Sequence, residues 1–469
     1  MSRTLFDKLW SSHLVRELDD GVGLLAIDRI FLHERTGSVA LQSLRASGRP
    51  VRDPARVFCT MDHIVDTFPT RGDATLMPSG TEFIRETRAA AREAGITLFD
   101  VQDPLQGIVH VISPELGLVL PGTTVVCPDS HTCTQGALGA LAWGIGSTEA
   151  EHALATGTLR VSRPKTMRVR FVGRLPLGVT AKDMALALIA RHGSAGGNGF
   201  AVEFAGSAVE ALDIEARLTL CNMATEFSAV SGFVAPDAKT LSYVEGKAYA
   251  PTGAAWAAAS AAWMALVSDA GAVFDREIEI DVSALAPMVT WGTSPQHAVP
   301  VSGMVPSAAE SGTTPEAHAR ALEYMGLSAG MPLSGLPITA AFIGSCTNSR
   351  LSDLRRAAAL LRGRHVAPGV RAICVPGSMA VKRAAEAEGL DRIFEEAGFE
   401  WRASGCSMCF FAGGESFGSR ERVISSTNRN FESRQGPETR THLASPEMVA
   451  ASAVRGMITD PRSLAEAAR

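Results

Sequence analysis

A layered α/β fold is predicted for this chain, and three observations predict it. Short runs rich in β-branched residues alternate with alanine-rich stretches of helical character, as in sheets covered by helices. Apolar runs end repeatedly in short polar or glycine-containing turns. The 469 residues are 46% hydrophobic and 20% charged, which suits about two to four domains with large buried cores.

Individual elements follow from local pattern. Residues 123–127 are a predicted strand because they form an apolar, β-branched run, and residues 167–172 are predicted because they alternate apolar with polar. Residues 181–189 have the pattern of a helix, and the glycine-rich stretch 193–199 after it is interpreted as a loop or tight turn. The alanine-rich stretch 254–267 is predicted to be a buried helix, since it is too short to span a membrane.

Domain boundaries are predicted from changes in composition. A new series of strands and helices starts near residue 166, and residues 287–306 collect proline, glycine and serine as a linker does. The predicted domains are therefore 1–165, 166–285 and 286–469. We find no convincing internal sequence repeat.

Charge and cysteine usage exclude several classes of function. The net charge of 44 − 49 = −5 provides no basic surface for nucleic acid. The first residues lack the apolar core of a signal peptide, and no stretch suits a membrane span. Eight cysteines without a secretory signal indicate a reducing cytoplasm, with metal ligands or thiols rather than a disulfide framework.

Three cysteines carry the strongest chemical signal. Cys406 and Cys409 form a Cys-x-x-Cys pair, and Cys346 lies roughly sixty residues earlier among small and polar neighbours. If the three bind a 4Fe–4S cluster, its fourth iron has no protein ligand and can act as a Lewis acid on a substrate. Zinc and a thioredoxin-type redox pair remain alternatives, although zinc would lack a second close pair of ligands.

Histidines beside carboxylates form a second candidate group. An isolated histidine is more often structural, but a neighbouring carboxylate fixes its tautomer and stabilises the imidazolium needed for proton transfer. The candidates are the pair Asp62-His63, His110 at the end of an apolar run, and the run Asp129-Ser130-His131.

Two arginines near the C-terminus are candidates for binding a carboxylate. Arg429 and Arg434 are five residues apart among hydrogen-bonding groups, and a guanidinium pairs well with a carboxylate. The alternative interpretation is a pair of surface salt-bridge partners.

Taken together, these motifs resemble those of the aconitase superfamily and, within it, the large subunits of isopropylmalate dehydratases. The resemblance covers essentially the whole chain. Its most specific parts are residues 61–63, 129–132, 220–223, 344–349, 405–409 and 428–431.

The resemblance implies a fold and a cofactor. It implies an aconitase-like α/β/α architecture of three domains around one 4Fe–4S cluster per subunit, bound by Cys346, Cys406 and Cys409. It also implies that Asp62 and His63 deliver a proton to the departing hydroxyl. Further residues are expected in the pocket: His110, Asp129, Ser130, His131, Asn222 and Glu226 around the reacting oxygen, with Asn428, Arg429 and Arg434 at the substrate.

The implied reaction is that of a hydro-lyase. By resemblance, the chain converts 2-isopropylmalate to 3-isopropylmalate by dehydration and rehydration, a step of leucine biosynthesis. Aconitases have a fourth, swivelling domain for which this chain has no room, so a separate small subunit is expected to complete the site as a heterodimer. The chain alone is therefore expected to be inactive.

Several positions depart from the usual isopropylmalate pattern. They are residues 410–422 after the cysteine pair, Ser433 in place of a glycine, and Val39 in a stretch where a glutamine is common. A related hydro-lyase acting on maleate, citraconate, dimethylmalate or another 2-substituted malate is therefore the alternative. An iron-sensing nucleic-acid-binding role and a structural zinc or electron-transfer role are the other classes, and the net negative charge disfavours the first.

Overall fold

The structure, a computed structural model, describes residues 2–19, 21–411 and 414–466. The chain forms two compact units. The first consists of Met1–Ile64, Thr81–Gly173 and Gly197–Ile280, and the second of Val65–Gly80, Arg174–Gly196 and Asp281–Arg469. The division into three domains at residues 165 and 285 stays a prediction.

Strands and helices alternate through most of the chain. The strands are β1 Leu14–Asp19, β2 Val22–Ala26, β3 Arg29–His33, β4 Val57–Thr60, β5 Thr97–Phe99, β6 Thr124–Cys127, β7 Leu141–Gly144, β8 Thr158–Ser162, β9 Lys165–Val172, β10 Phe200–Ala205, β11 Ser231–Phe233, β12 Arg276–Asp281, β13 Met288–Thr290, β14 Ala298–Pro300, β15 Ala340–Ile343, β16 Arg371–Cys374, β17 Phe399–Trp401, β18 Arg422–Ser425 and β19 Arg440–Leu443. The α-helices are α1 Leu5–His13, α2 Gly37–Ala46, α3 Gly80–Ala94, α4 Val109–Glu115, α5 Ser147–Thr156, α6 Ala181–His192, α7 Ser207–Ala211, α8 Ile214–Asn222, α9 Ala238–Val244, α10 Gly253–Met264, α11 Pro315–Met325, α12 Leu351–Leu361, α13 Met379–Ala387, α14 Leu390–Ala397, α15 Pro446–Arg455 and α16 Arg462–Glu466. Short 3₁₀ helices span Pro54–Arg56, Ser130–Leu138, Thr225–Phe227, Pro295–His297 and Ser407–Cys409.

The first unit is built on a parallel five-stranded sheet in the order β5-β4-β3-β6-β7. Every residue of β4 and of β6 is buried, as expected for parallel strands covered on both faces. The central strand β3 lies between β4 and β6, so the carboxyl ends of these three strands meet at one edge. Two further sheets, in the orders β1-β2-β8 and β11-β10-β9-β12, belong to the same unit.

The second unit repeats this topology. Its parallel sheet has the order β17-β16-β15-β18-β19, so the strand that comes first in sequence is again central. The sequence shows no convincing repeat, so the correspondence lies in strand order alone. In both sheets the chain adds strands first on one side of the central strand and then on the other. Ligands of such sheets bind at the carboxyl ends of the strands, beside the central strand where the direction changes.

Most of the predicted elements are confirmed. The predicted strands at 123–127 and 167–172 are β6 and β9, and the helix predicted at 181–189 is α6. Residues 194–197 form turns, as predicted for the glycine-rich stretch. No helix in the described ranges has the length and apolarity needed to cross a bilayer.

Two predictions are wrong. The alanine-rich helix α10 is largely exposed, and Trp263 is its only buried residue. Alanine side chains are small enough that exposing them costs little, so apolarity alone did not require burial. The stretch 287–306, predicted to be a linker, instead contains the antiparallel pair β13–β14, in which Val289 and nearby Trp291 are almost fully buried.

The cysteines outside the predicted cluster triad occupy the hydrophobic core. Cys59, Cys127, Cys133, Cys221 and Cys374 are each at most 1% exposed, which is usual for a free cysteine that packs as a small hydrophobic residue. All eight cysteines of the chain lie in the described ranges, and none of them forms a disulfide.

Close packing of two backbones in the first unit provides a test of this fold. A Cβ atom added at Gly136 would lie 2.0 Å from the carbonyl oxygen of Gly232 in β11. We expect Gly136→Ala to lower the free energy of unfolding by roughly 1–3 kcal/mol or more, because backbone atoms must shift. Urea unfolding measures the change. Gly72→Ala is the control, because nothing lies within 4 Å of a Cβ there; equal stability of both variants would contradict this packing.

Candidate functional site

Polar side chains follow three neighbouring strand ends of the first unit. His33 is the last residue of β3, Asp62 and His63 follow β4, and Asp129 follows β6. Because β4, β3 and β6 are parallel neighbours, these side chains meet at one edge of the sheet. The local sequence supports this, since each buried apolar strand ends in a polar turn.

Asp129 is the centre of the resulting network. Its Oδ1 accepts from His110 Nε2 at 3.0 Å and from the backbone N–H of His131 at 2.7 Å. Its Oδ2 lies 3.2 Å from His63 Nε2. Burial alone would raise the pKa of this carboxyl group, but His110, His131 and His63 together hold its pKa well below the usual value. Asp129 is therefore an ionised carboxylate shared by several histidines.

The neighbouring residues Asp62 and His63 are in contact, as predicted from the sequence. His63 Nδ1 lies 2.6 Å from Asp62 Oδ1, and Asp62 Oδ2 accepts from the backbone N–H of Val109 at 2.9 Å. Burial opposes ionisation of Asp62, but His63 outweighs it and lowers the pKa of this carboxyl group. His63 thus has a carboxylate at each ring nitrogen, Asp62 on one side and Asp129 on the other.

A second histidine–carboxylate pair completes the group. His131 Nε2 lies 2.7 Å from Glu226 Oε1, and the Ser130 hydroxyl lies 3.3 Å from His131 Nδ1. Both His131 and Glu226 are less than 10% exposed. Asn222, at the end of α8, donates to the Thr134 hydroxyl at 2.8 Å within the same unit.

Three residues of this network were not predicted from the sequence. His33 stacks on His63 with ring centroids 4.0 Å apart, and Glu34 accepts from the backbone N–H groups of Asp62 at 2.9 Å and Ile64 at 2.5 Å. Gln135 places its amide nitrogen 3.3 Å from His110 Nδ1. His33 and Glu34 have the same signal as Asp62 and His63, a polar pair directly after a buried strand, and could have been found from it.

Both buried neighbours have shifted pKa values. Burial, with His63 nearby, lowers the pKa of His33 to about 4, so this ring is neutral at physiological pH. Burial and the charge of Asp62 raise the pKa of Glu34 to about 7. His33, Glu34, Asp62 and His63 place ligand-type atoms within 4.8 Å of one another. However, both carboxylates already accept backbone N–H groups, so the arrangement is a hydrogen-bond network rather than a preformed metal site.

The predicted cluster cysteines all lie in the second unit. Cys346 follows β15. Cys406 and Cys409 lie after β17, at the start and end of the 3₁₀ helix Ser407–Cys409, and each of the three cysteines is only 6–7% exposed. The serines beside them have strained backbones, since φ is +87° at Ser345 and +46° at Ser407. Side chains other than glycine rarely adopt such positive φ values, and they concentrate at functional sites.

Side-chain donors point at two of the sulfurs. Asn428 Nδ2 lies 3.5 Å from Cys346 Sγ, and Arg434 Nη2 lies 3.8 Å from Cys409 Sγ. Ser345 Oγ is 3.4 Å from Cys409 Sγ. Donors around sulfur stabilise thiolate and tune the potential of an iron–sulfur cluster, so this set of residues fits such a group.

A further observation near the cysteines fits a cluster. Asn428 Oδ1 and Arg434 Nε are buried and have no hydrogen-bond partner in the described structure. Buried polar atoms are normally satisfied, so these two indicate room for a polar ligand.

The predicted arginines differ in environment. The Arg434 guanidinium lies between two aromatic rings, 4.8 Å from the centroid of Phe410 and 5.1 Å from that of Phe431. Arg429 is half-buried beside Asn428. In the altered segment 410–422, Ala412 and Gly413 lie outside the described residues.

Comparison with known proteins agrees with these features. The model of the aconitase family (aconitate hydratase) matches residues 7–456. The chain is 53% identical over 464 residues to 3-isopropylmalate dehydratase large subunit 1 of Bradyrhizobium diazoefficiens, which covers 98% of this chain and 97% of that protein. Members of the family generally bind a 4Fe–4S cluster and are hydro-lyases. Both the family match and this identity extend over almost the whole sequence, and the chain therefore belongs to the aconitase family.

Proposed function

We propose that this chain is the catalytic large subunit of a 3-isopropylmalate dehydratase, which converts 2-isopropylmalate to 3-isopropylmalate in leucine biosynthesis. The observation that carries the proposal is the 53% identity to a large subunit of that name over nearly the full length of both chains. The buried cysteines and the histidine–carboxylate network are the residue types that this chemistry requires.

Cys346, Cys406 and Cys409 would hold the cofactor, one 4Fe–4S cluster. A cluster with three protein ligands has one iron free to act as a Lewis acid on hydroxyl and carboxylate oxygens. The protein's own contribution is to keep the sulfurs buried, with Asn428 and Arg434 donating to them.

His63 is proposed as the proton donor to the departing hydroxyl. Asp62 at Nδ1 and Asp129 at Nε2 both stabilise the protonated ring, and the Asp62 contact fixes its orientation. His110 and His131, held by Asp129 and Glu226, are proposed to orient the reacting oxygen, as are Ser130 and Asn222. Because these groups are positioned before substrate arrives, no reorganisation is needed during the reaction.

Arg434 and Arg429 are proposed to bind substrate carboxylate, together with Asn428. Among the described residues, Arg434 Nε is buried and has no hydrogen-bond partner, and the rings of Phe410 and Phe431 hold the guanidinium plane in place. A fixed guanidinium with an unused donor suits bidentate binding of a carboxylate.

A small subunit is proposed as the partner, since the relative's name identifies it as a large subunit. We propose a heterodimer that is active only when both subunits are present. The cytoplasmic location predicted from cysteine usage is part of the same proposal.

A hydro-lyase acting on a different 2-substituted malate is the second candidate. The observation that favours it is the position of Phe410, in the segment that departs from the usual pattern, against the proposed carboxylate-binding Arg434. A changed wall at this position would alter which substituent fits next to the carboxylate.

A reconstitution experiment tests the function. We expect the anaerobically prepared chain to hydrate or dehydrate its substrate only after a matching small subunit is added, with 2-isopropylmalate preferred over citraconate, maleate and dimethylmalate. Cys346→Ala should abolish both cluster absorbance and activity, whereas the buried core variant Cys374→Ala should keep both. Full activity of the isolated chain, or of Cys346→Ala, would contradict the proposal, and preference for another malate would support the second candidate.

His63→Gln tests the proton donor. We expect kcat to fall by about 10²–10⁴-fold, the usual contribution of a general acid. Iron content should be unchanged, because His63 is not among the proposed ligands. His152→Gln, on helix α5, is the control and should retain activity. A His63 variant with normal kcat would remove this residue from the mechanism.

Glu34→Gln tests the raised pKa of Glu34 through the pH dependence of the protein's stability. The pKa of Glu34 is raised from 4.5 to about 7 on folding, first by burial and then by Asp62. Its contribution to stability is therefore fully present below pH 4.5 and is lost as pH rises through about 7. Relative to wild type, the neutral variant should gain roughly 1–3 kcal/mol between these pH values in urea unfolding. The exposed control Glu93→Gln should show no such trend, and a pH-independent difference for Glu34→Gln would refute the shift.

A further inference from the structure

Lys182 is a fully buried lysine in the second unit that the proposed mechanism does not use. It lies in the first turn of α6 and is 0% exposed. Its ammonium donates to the backbone carbonyl of Ser426 at 2.6 Å and to that of Thr427. Lysine is almost never fully buried without a specific partner, so this position calls for a physical explanation.

The backbone that Lys182 contacts supports the Cys346 loop. The Ser426 hydroxyl accepts from the backbone N–H of Gly344 at 3.0 Å and lies within reach of the carbonyls of Gly344 and Asn348. Two residues later, Asn428 donates to Cys346 Sγ at 3.5 Å. The ammonium of Lys182 therefore anchors the segment that holds both sides of the Cys346 turn.

The charges around Lys182 point to the same place. Burial lowers the pKa of its ammonium to about 7, and the groups that favour the charged form are Asp353, Asp183, Cys409 and Cys346. Asp183 is itself weakly acidic, because burial raises its pKa to about 7, and its carboxylate accepts from Thr180 and Met288. Thiolates at Cys346 and Cys409 would add negative charge that a buried ammonium can offset.

We propose that Lys182 is a positioning and charge-compensating residue for the iron–sulfur cluster, holding the Ser426–Asn428 backbone behind Cys346 and offsetting the negative charge of the thiolates. This inference rests on the proposed function. In a low-dielectric interior a nearby positive charge stabilises a cluster with anionic ligands. It also favours the reduced cluster over the oxidised one, because reduction adds negative charge.

Lys182→Met tests the inference in the full-length chain, reconstituted anaerobically. We expect the variant to lose iron to a chelator about 10- to 100-fold faster than wild type, the usual effect of removing a group that supports metal ligands. The midpoint potential of its cluster, from a redox titration followed by electron paramagnetic resonance, should move to more negative values. Lys182→Arg, which keeps the positive charge, should restore the potential toward that of wild type.

Arg217→Met is the matched control. Arg217 is a buried cation of the first unit, 1% exposed and paired with Asp237. Its loss should lower the unfolding temperature without changing the potential or the rate of iron loss. If Lys182→Met does not fold, Lys182→Gln removes the charge while keeping a donor for the carbonyls, and the same two measurements apply.

The outcomes separate the two levels of inference. A folded, cluster-loaded Lys182 variant with wild-type iron retention and potential would overturn the role of Lys182 and leave the proposed function intact. A change of the same size in Arg217→Met would also overturn it, because the effect would then be general destabilisation. Wild-type chain that takes up no iron–sulfur cluster would instead overturn the proposed function.

Discussion

Parallel pairing of strands places the carboxyl ends of neighbouring strands at the same edge of a sheet, and both groups of candidate residues depend on this constraint. In the first unit the ends of β4, β3 and β6 bring Asp62, His33 and Asp129 together across more than sixty residues of sequence. In the second unit the ends of β15 and β18 bring Cys346 within reach of Asn428. A shift in either register would separate these side chains.

Burial of charged and polar side chains determines the chemistry available to each of the two sets of candidate residues. In the first unit, Asp129 stays ionised in the interior because three histidines share its carboxylate. In the second, side-chain donors lie beside the sulfurs of Cys346 and Cys409, and Asn428 Oδ1 and Arg434 Nε have no hydrogen-bond partner among the described residues. The first arrangement surrounds a histidine with carboxylates that stabilise its protonated form, whereas the second has room for a polar ligand. The proposed proton donor and the proposed cluster ligands thus lie in different parts of the sequence.

Residue types and short motifs were predicted well from the sequence, and environments less well. The Asp62-His63 contact could be anticipated because the residues are adjacent, and β6, β9 and α6 because their periodicity is strong. Helix α10 was wrongly predicted to be buried, since an alanine-rich pattern does not specify a packed face. The sequence shows His33 and Glu34 as a polar pair at the end of a buried strand, but their contacts with His63 and with the backbone N–H of Asp62 arise only when β3 pairs with β4.

The sequence by itself determined the α/β class and the family. It also determined the identity and order of the candidate ligands and acid–base residues, because local composition and short motifs can be recognised without knowing the fold. Only the tertiary structure decided which side chains meet: Asp129 with His63, His131 with Glu226, and Lys182 with the backbone before Asn428. Those contacts join residues far apart in the chain. Strand register, helix packing and the cost of burying charge select them together, and no stretch of sequence contains that information.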